Sequence, residues 1–361
     1  MAKSHRILLT GANGYIAQHI LWQLLEEGYS VRAVARSESK IEPLRKTFGK
    51  WLGTPQLDFG VVPDIAIPGA FDAVLQSDPP FDIVIHTASP FKLNPEAGSF
   101  FLDPAIKGTT GILSDIARVA PSVRRVVITS SFAAIADFLG PPISNPAKVY
   151  TRDDWNPITL EAALATDNVM ATYPASKKFA EKAAWDFVKE GKGNFELATV
   201  NPPGVYGPVL DPSQIAKPED LNQSTVLIYD GLLKPGLKPS DPVPSTYINL
   251  YVDVRDCARA HVLAATLPEA AGKRWFTCAG ELTYQGMANY LREALPEKRD
   301  VIPIGDPENT GMPEGWFQGS SPEIEEVLGL KFRPAEETIK DLGPQLVDIE
   351  KRAAAAASAT A

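Results

Sequence analysis

Tyr173 and Lys177 stand four residues apart in Tyr173-Pro174-Ala175-Ser176-Lys177. On a helix this spacing brings a phenol and an ammonium onto one face. An ammonium beside a phenol favours the phenolate, so the pair predicts a tyrosine whose pKa is drawn down toward neutrality. A tyrosine tuned in that way can exchange a proton with a carbonyl or an alcohol. An ordinary helix surface also offers such a pair, so its meaning depends on the elements that position it.

Those elements begin with Arg6–Thr10, a short apolar run of strand type. It leads into Gly11-Ala12-Asn13-Gly14-Tyr15-Ile16-Ala17 and a helical stripe of Ile16, Ile20, Leu21, Leu24 and Leu25, closed by Gly28. Strand, glycine-rich turn and helix form the context of a dinucleotide-binding loop. Gly11 permits the tight turn. Gly14 lets backbone approach a pyrophosphate at the helix N-terminus, and Ala17 allows close packing of helix on strand. Asn13, Tyr15 and Ile16 complete this candidate cofactor loop.

The second strand, 29–35, bears on the choice of dinucleotide. An NAD site usually places an acid near its end for the ribose 2′-hydroxyl. Here Val31-Arg32-Ala33-Val34-Ala35-Arg36-Ser37 holds no acid before Glu38. Arg32 and Arg36 share a face by strand alternation. Two guanidiniums, with Lys40 as a third cation, suit the 2′-phosphate of NADPH/NADP.

Composition agrees with an enzyme of ordinary globular type. The 361 residues are 44% hydrophobic and 22% charged, with room for one large domain or two. The net charge of −9 argues against sequence-blind nucleic-acid binding, so no nucleic-acid partner is expected. No apolar run approaches a membrane span, and residues 1–20 lack the pattern of a signal peptide. With only Cys257 and Cys278 there is no disulfide framework, so a cytoplasmic setting is expected. The four histidines, His5, His19, His86 and His261, are scattered, and no metal site is expected. The alanine-rich tail, 353–361, is expected to fray.

Near-continuous apolar runs at 58–62, 81–88, 124–131 and 195–202 read as further strands, with helical patterns at 103–119 and 174–190 between them. This alternation predicts an α/β fold of Rossmann type, a doubly wound parallel sheet, with a smaller C-terminal substrate-binding cap. Ligands bind beyond the C-terminal ends of such strands. Gly11, Arg36, Asp64, Ala88 and Ser131 all fall at or just past those ends. The expected division is 1–204 plus 245–278 for the cofactor-binding domain, 205–244 plus 279–350 for the cap, and 351–361 for the frayed tail. The Pro-rich stretch within 205–244 is expected to be irregular, and 283–295 and 322–328 to be short helices.

With these residues in place, the chain resembles the extended short-chain dehydrogenase/reductases. Thr10–Ala17, Thr129-Ser130-Ser131 and Tyr173-x-x-x-Lys177 carry that resemblance. Val62-Pro63-Asp64-Ile65, His86-Thr87-Ala88-Ser89-Pro90-Phe91, Trp155-Asn156-Pro157, the segment 176–185 and Tyr251-Val252-Asp253-Val254-Arg255-Asp256 narrow it. They are similar to the fungal NADPH-dependent methylglyoxal and aldehyde/ketone reductases, relatives of plant dihydroflavonol reductases, over about residues 5 to 350.

The resemblance implies a Ser-Tyr-Lys catalytic set. Ser131 would hold the substrate carbonyl oxygen, Tyr173 would protonate it, and Lys177 would lower the tyrosine pKa and bond the nicotinamide ribose. Ser130 is the neighbouring alternative, and strand alternation turns it to the other side. The resemblance also implies adenine contacts at Asp64 and Ile65, backbone contacts at Ala88 and Ser89, a lysine at Lys107 that a solvated helix face would explain equally well, and contacts beside the nicotinamide from Pro202 and Val205. Gly204, small where many relatives are bulky, suggests a wider pocket. Phe91, Phe132, Val169, Tyr206, Asn222 and Ser224 are the candidate substrate wall.

The expected activity is NADPH-dependent reduction of a small aldehyde or ketone by a monomer or homodimer. Two other readings stay open here. One is an NAD-dependent sugar-nucleotide epimerase or dehydratase on the same scaffold, which would want an acid after strand two. The other is a non-catalytic NADP-sensing regulator, which would typically lack the Tyr or Lys.

Overall fold

In a computed structural model the described residues are 5–89, 102–144, 146–166 and 168–360. The candidate Phe91 lies outside them. The side chain of Val169, which opens a helix, is likewise outside what is described.

Seven parallel strands form the main sheet: β1 (Arg6–Thr10), β2 (Ser30–Ala35), β3 (Leu57–Val61), β4 (Ile83–His86), β5 (Arg125–Thr129), β6 (Glu196–Asn201) and β7 (Arg274–Phe276). Their order is β7-β6-β5-β4-β1-β2-β3, the expected doubly wound arrangement. Strand order reverses between β1 and β4, paired in register as Ile7 with Ile83 through Thr10 with His86. A ligand crevice opens beyond such a reversal.

Alternation along β1 sends Ile7 and Leu9 to one face and Leu8 to the other. The first face packs against helices Tyr15–Glu26 and Val254–Thr266. The second packs against Leu102–Val119 and Val169–Lys189. Both faces are covered, which is why the strands are apolar on both sides.

A third core gathers residues from 206–233, 282–302 and 339–349. The stretch expected to be irregular contributes a strand, Gly204–Tyr206, and a helix, Gln223–Leu232. That strand joins Leu250–Asp253 and Gly280–Glu281 in a second, three-stranded sheet. Proline density hid both elements because prolines flank them without entering them. The expected helices 283–295 and 322–328 are present as Tyr284–Ala294 and Glu323–Leu328. The frayed-tail expectation is corrected: helix Ala335–Thr360 runs through the alanines. Alanine has the highest helix propensity, and a helix already nucleated on the core extends at little cost.

Candidate active site

β1 ends at Thr10, and the chain turns at Gly11 with φ of 66°. A Cβ on Gly11 would lie 2.8 Å from the Ala88 nitrogen, so only glycine lets this turn rest against the exit of β4. Gly14 is the N-cap of Tyr15–Glu26; no side chain caps that helix and its first turn holds no acid. Its end presents open N–H groups and the positive pole of the helix dipole. A Cβ on Gly14 would approach the Gly11 carbonyl at 3.1 Å. This bare, uncapped cradle fits a pyrophosphate.

Thr10 ties the two strand ends together. Its hydroxyl is 2.8 Å from His86 Nδ1, its carbonyl accepts from the Thr87 hydroxyl at 2.6 Å, and the Ala88 N–H donates to its Oγ1 at 3.3 Å. Asn13 is exposed at the loop tip. The Tyr15 hydroxyl donates to the Gly207 carbonyl at 2.6 Å, anchoring the loop to the chain just after the second sheet's first strand. Ile16 packs beneath.

Arg32 requires a correction. Its guanidinium donates to Asp58 on β3 at 2.7 and 2.9 Å and to the carbonyls of Val74 and Gln76, and it lies over Phe81. In this arrangement its guanidinium is engaged by the fold and not held open for a phosphate. Arg32 leaves β2 at mid-strand, where Asp58 is its registered neighbour. Arg36, one residue past the strand, is exposed, as is Lys40 in the first turn of helix Glu38–Thr47. Asp64 is exposed beyond β3 and accepts from the Ala66 N–H at 2.9 Å. Ile65 packs on Gly108, where a Cβ would be 3.0 Å away. Lys107, the residue before Gly108, is exposed.

Helix Val169–Lys189, capped by Asn168 through the Met170 N–H at 2.9 Å, carries Tyr173 and Lys177. It begins five residues before the expected start, so Tyr173 lies inside it. Ser131 follows β5; its hydroxyl accepts from the Ala133 N–H at 3.0 Å and lies near enough to the Tyr173 phenol to lower its pKa. Ser130 points the other way and donates to Glu181 at 2.6 Å, as alternation predicts.

The expected drop in the tyrosine pKa is not found. Burial raises the Tyr173 pKa, and the nearby Ser131 hydroxyl only offsets part of that rise. Lys177 is itself desolvated, which brings its pKa down to about 8. Its ammonium lies 5.7 Å from the centre of the Tyr173 ring and donates to the Ser89 hydroxyl at 3.0 Å. Behind Lys177 is His86, whose Nε2 has no partner among the described residues. Burial, then the Lys177 charge, lowers the His86 pKa to about 4.

The substrate-wall expectations fare less well. Phe132 is 1% exposed, stacked on Phe276 at 5.2 Å and boxed in by Phe138, Tyr150 and Phe317. It belongs to a core, because the turn after Ser131 points it inward. Tyr206 is buried, and its ring covers Gly204, where a Cβ would come within 2.9 Å of it. The room expected at Gly204 is therefore filled by Tyr206. Asn222 is the N-cap residue of Gln223–Leu232; its amide donates to Ser224 at 2.8 Å, and its carbonyl oxygen accepts from the Thr225 hydroxyl. Ser224 donates to the Val205 carbonyl at 2.8 Å. These polar groups are spent on tying a helix to the strand that carries Val205. The Pro202 carbonyl accepts from the Phe132 N–H at 2.8 Å and steadies the Ser131 turn.

Two supporting residues lay in segments that carry the resemblance but were given no role in the sequence reading. Asn156 is buried and its amide donates to the carbonyls of Ala133 and Ala136, holding the turn that Ser131 opens. Glu181 lies one helical step beyond Lys177. Its i+4 spacing was visible, but a glutamate in a helix gives no sign of being buried.

The family model for the NAD dependent epimerase/dehydratase family matches residues 7–278. The ketoreductase azaE of Aspergillus niger is 40% identical over 337 residues, covering 93% of this chain and 96% of that protein. The NADPH-dependent methylglyoxal reductase GRE2 of Saccharomyces cerevisiae is 38% identical over 353 residues, 96% of this chain and 99% of that protein. A crystal structure of yeast methylglyoxal/isovaleraldehyde reductase Gre2 complexed with NADPH superposes with a TM-score of 0.84 at 37% identity, covering 96% of this chain and 99% of that one.

Proposed function

Since the chain belongs to the NAD dependent epimerase/dehydratase family, we propose that it is an NADPH-dependent carbonyl reductase that converts a small aldehyde or ketone to the alcohol. The observation that carries this is the placing of Tyr173 and Lys177 on one helix, the ammonium 5.7 Å from the phenol ring centre, with Ser131 at the end of β5 and beside the uncapped cradle of Gly11 and Gly14. The bound dinucleotide supplies the hydride. Ser131 orients the carbonyl oxygen, and Tyr173 donates it a proton. A raised tyrosine pKa keeps the phenol protonated at neutral pH, the form a reduction needs. Lys177 contributes the positive charge beside the developing alkoxide.

The loop Gly11, Asn13, Gly14, Tyr15 and Ile16 would hold the pyrophosphate, Arg36 and Lys40 the 2′-phosphate, Asp64 and Ile65 the adenine, and Ala88, Ser89, Pro202 and Val205 the remaining cofactor edge. Exposed cations with no acid at the end of β2 favour this reading over an NAD-dependent epimerase. We assign residues 1–204 plus 245–278 to the cofactor domain and 205–244 plus 279–350 to the cap. Among the described residues no helix is long and apolar enough to cross a membrane. We place the protein in the cytoplasm as a monomer or homodimer.

The test is to follow NADPH oxidation by the purified protein with methylglyoxal, aromatic aldehydes, diketones, β-ketoesters and a dihydroflavonol. Turnover with at least one carbonyl, and NADPH preferred over NADH, is expected. No turnover across the panel overturns the proposal.

A further inference from the structure

Glu181 is 1% exposed by side chain, yet it is an ionisable group inside the fold. A buried carboxylate persists only where its oxygens are satisfied. Here they are satisfied by residues from three strands. Oε2 accepts from the Ser130 hydroxyl after β5 at 2.6 Å and from the Asn201 amide of β6 at 2.7 Å. Oε1 accepts from the Thr199 hydroxyl of β6 at 3.1 Å, from Arg274 of β7 at 2.6 Å, and from Trp185 one turn along its own helix at 3.2 Å.

The grip extends further. Arg274 donates to the carbonyls of Arg152 and Asp154 at 2.5 and 2.7 Å and stacks on Trp155 at 3.7 Å. The Asn201 amide also reaches the Ser131 carbonyl at 3.4 Å. One carboxylate thus joins the helix of Tyr173 and Lys177 to the strand ends from which Ser131 emerges. Glu181 follows Tyr173 by eight residues, about two helical turns. Each step of four turns the side chain by about 40°, so Tyr173 faces the crevice while Glu181 faces the sheet. No other buried charge on this helix meets the sheet among the described residues.

We infer that Glu181 is a positioning residue for the reaction: it sets the distance between Ser131 and Tyr173 by holding Ser130, the neighbour of one, on the helix of the other. The inference rests on the reading of Ser131 and Tyr173 as the catalytic pair. A slip of helix against strand would move these two side chains apart, and misplacement by about 1 Å can cost on the order of 100-fold in rate.

Two variants test this, with Tyr173→Phe as the control for the underlying reading. Ser130→Ala removes one bond to Glu181 and leaves the Arg274 pair intact, so the fold is preserved. It should lower kcat by about tenfold while the substrate KM and NADPH Kd stay within about threefold. Glu181→Gln should lower kcat further, with the same split. In both variants the ionisation of the tyrosine itself, which lies above the Lys177 limb near 8, should move upward, because a loosened Ser131 no longer stabilises the phenolate. If kcat and the pH profile of folded Ser130→Ala match wild type, and Glu181→Gln loses only thermal stability, Glu181 is a structural ion-pair partner and the inference fails. If Tyr173→Phe itself retains normal turnover, the catalytic reading fails first.

Discussion

Lys177 and Ser89 are joined by a 3.0 Å hydrogen bond that crosses from the catalytic helix to the chain leaving β4. The ammonium is held away from the phenol edge, over the ring face, and desolvation has brought its pKa down to about 8. Lys177 is therefore the site's titrating cation in the mildly alkaline range, while burial keeps the Tyr173 phenol protonated there.

Turnover in the reductive direction should fall as pH rises through about 8, as Lys177 loses its charge. Lys177→Met should lack that limb and turn over more slowly at all pH values. A pH–kcat profile with the same limb in wild type and Lys177→Met would assign the titration elsewhere.

Tyr173→Phe should reduce kcat by about 10²–10⁴-fold, the usual contribution of a positioned general acid. NADPH affinity, measured by fluorescence titration, should be nearly unchanged, because Tyr173 stands on helix Val169–Lys189 and not in the Gly11–Gly14 cradle.

The two arginines should separate cleanly. Arg36→Ala should raise the NADPH KM by roughly ten- to hundredfold relative to NADH, the range for losing a charge-assisted hydrogen bond. Arg32→Ala should leave that preference intact and cost about 2 kcal/mol in urea unfolding, since it strips two carbonyls of their donor and leaves Asp58 with Arg6 alone. Equal cofactor effects from both variants would restore Arg32 to the phosphate site.

Gly11→Ala should weaken NADPH binding severely while the catalytic helix stays folded. The new Cβ meets Ala88 backbone at 2.8 Å in a left-handed conformation, so the turn itself must shift. Unchanged cofactor affinity in calorimetry would show that the turn tolerates that shift.

Acid should unfold the protein early. Burial, the first cause in each case, lowers His19, His86 and His261 to about 4 from an ordinary value of 6.5. A folded-state pKa below the unfolded one leaves stability intact above 6.5 and withdraws it as pH falls toward 4. Each histidine can withdraw about 3 kcal/mol over that window. Urea midpoints should decline steadily across it; a flat profile would mean that these imidazoles protonate without unfolding.

Much of the fold was legible because it rests on local rules. Alternation in Arg6–Thr10 and the apolar stripe of Tyr15–Glu26 are properties of consecutive residues, and both elements stand where they were expected. That Ser130 and Ser131 turn to opposite sides followed from the same alternation, while the family resemblance chose Ser131. What stayed hidden was whatever depends on a distant partner. Phe132 was placed on a substrate wall because nothing nearby in sequence says that Phe276 and Phe317 will close over it. Asn222 and Ser224 looked like free polar groups because their caps and carbonyl partners exist only once the helix has docked.

The sequence by itself determined the chemistry available: a glycine turn that tolerates left-handed backbone, cations at the end of a strand, and a phenol and an ammonium at helical spacing. These are consequences of residue type and local period. Tertiary structure decided which of those groups are free to act. It spent Arg32 on Asp58 and left Arg36 exposed, raised the tyrosine pKa where spacing alone suggested a fall, and gathered three strand ends onto Glu181. The reason is common to all three. Burial and long-range hydrogen bonding set the energy of a charge or a polar group, and both depend on residues far apart along the chain.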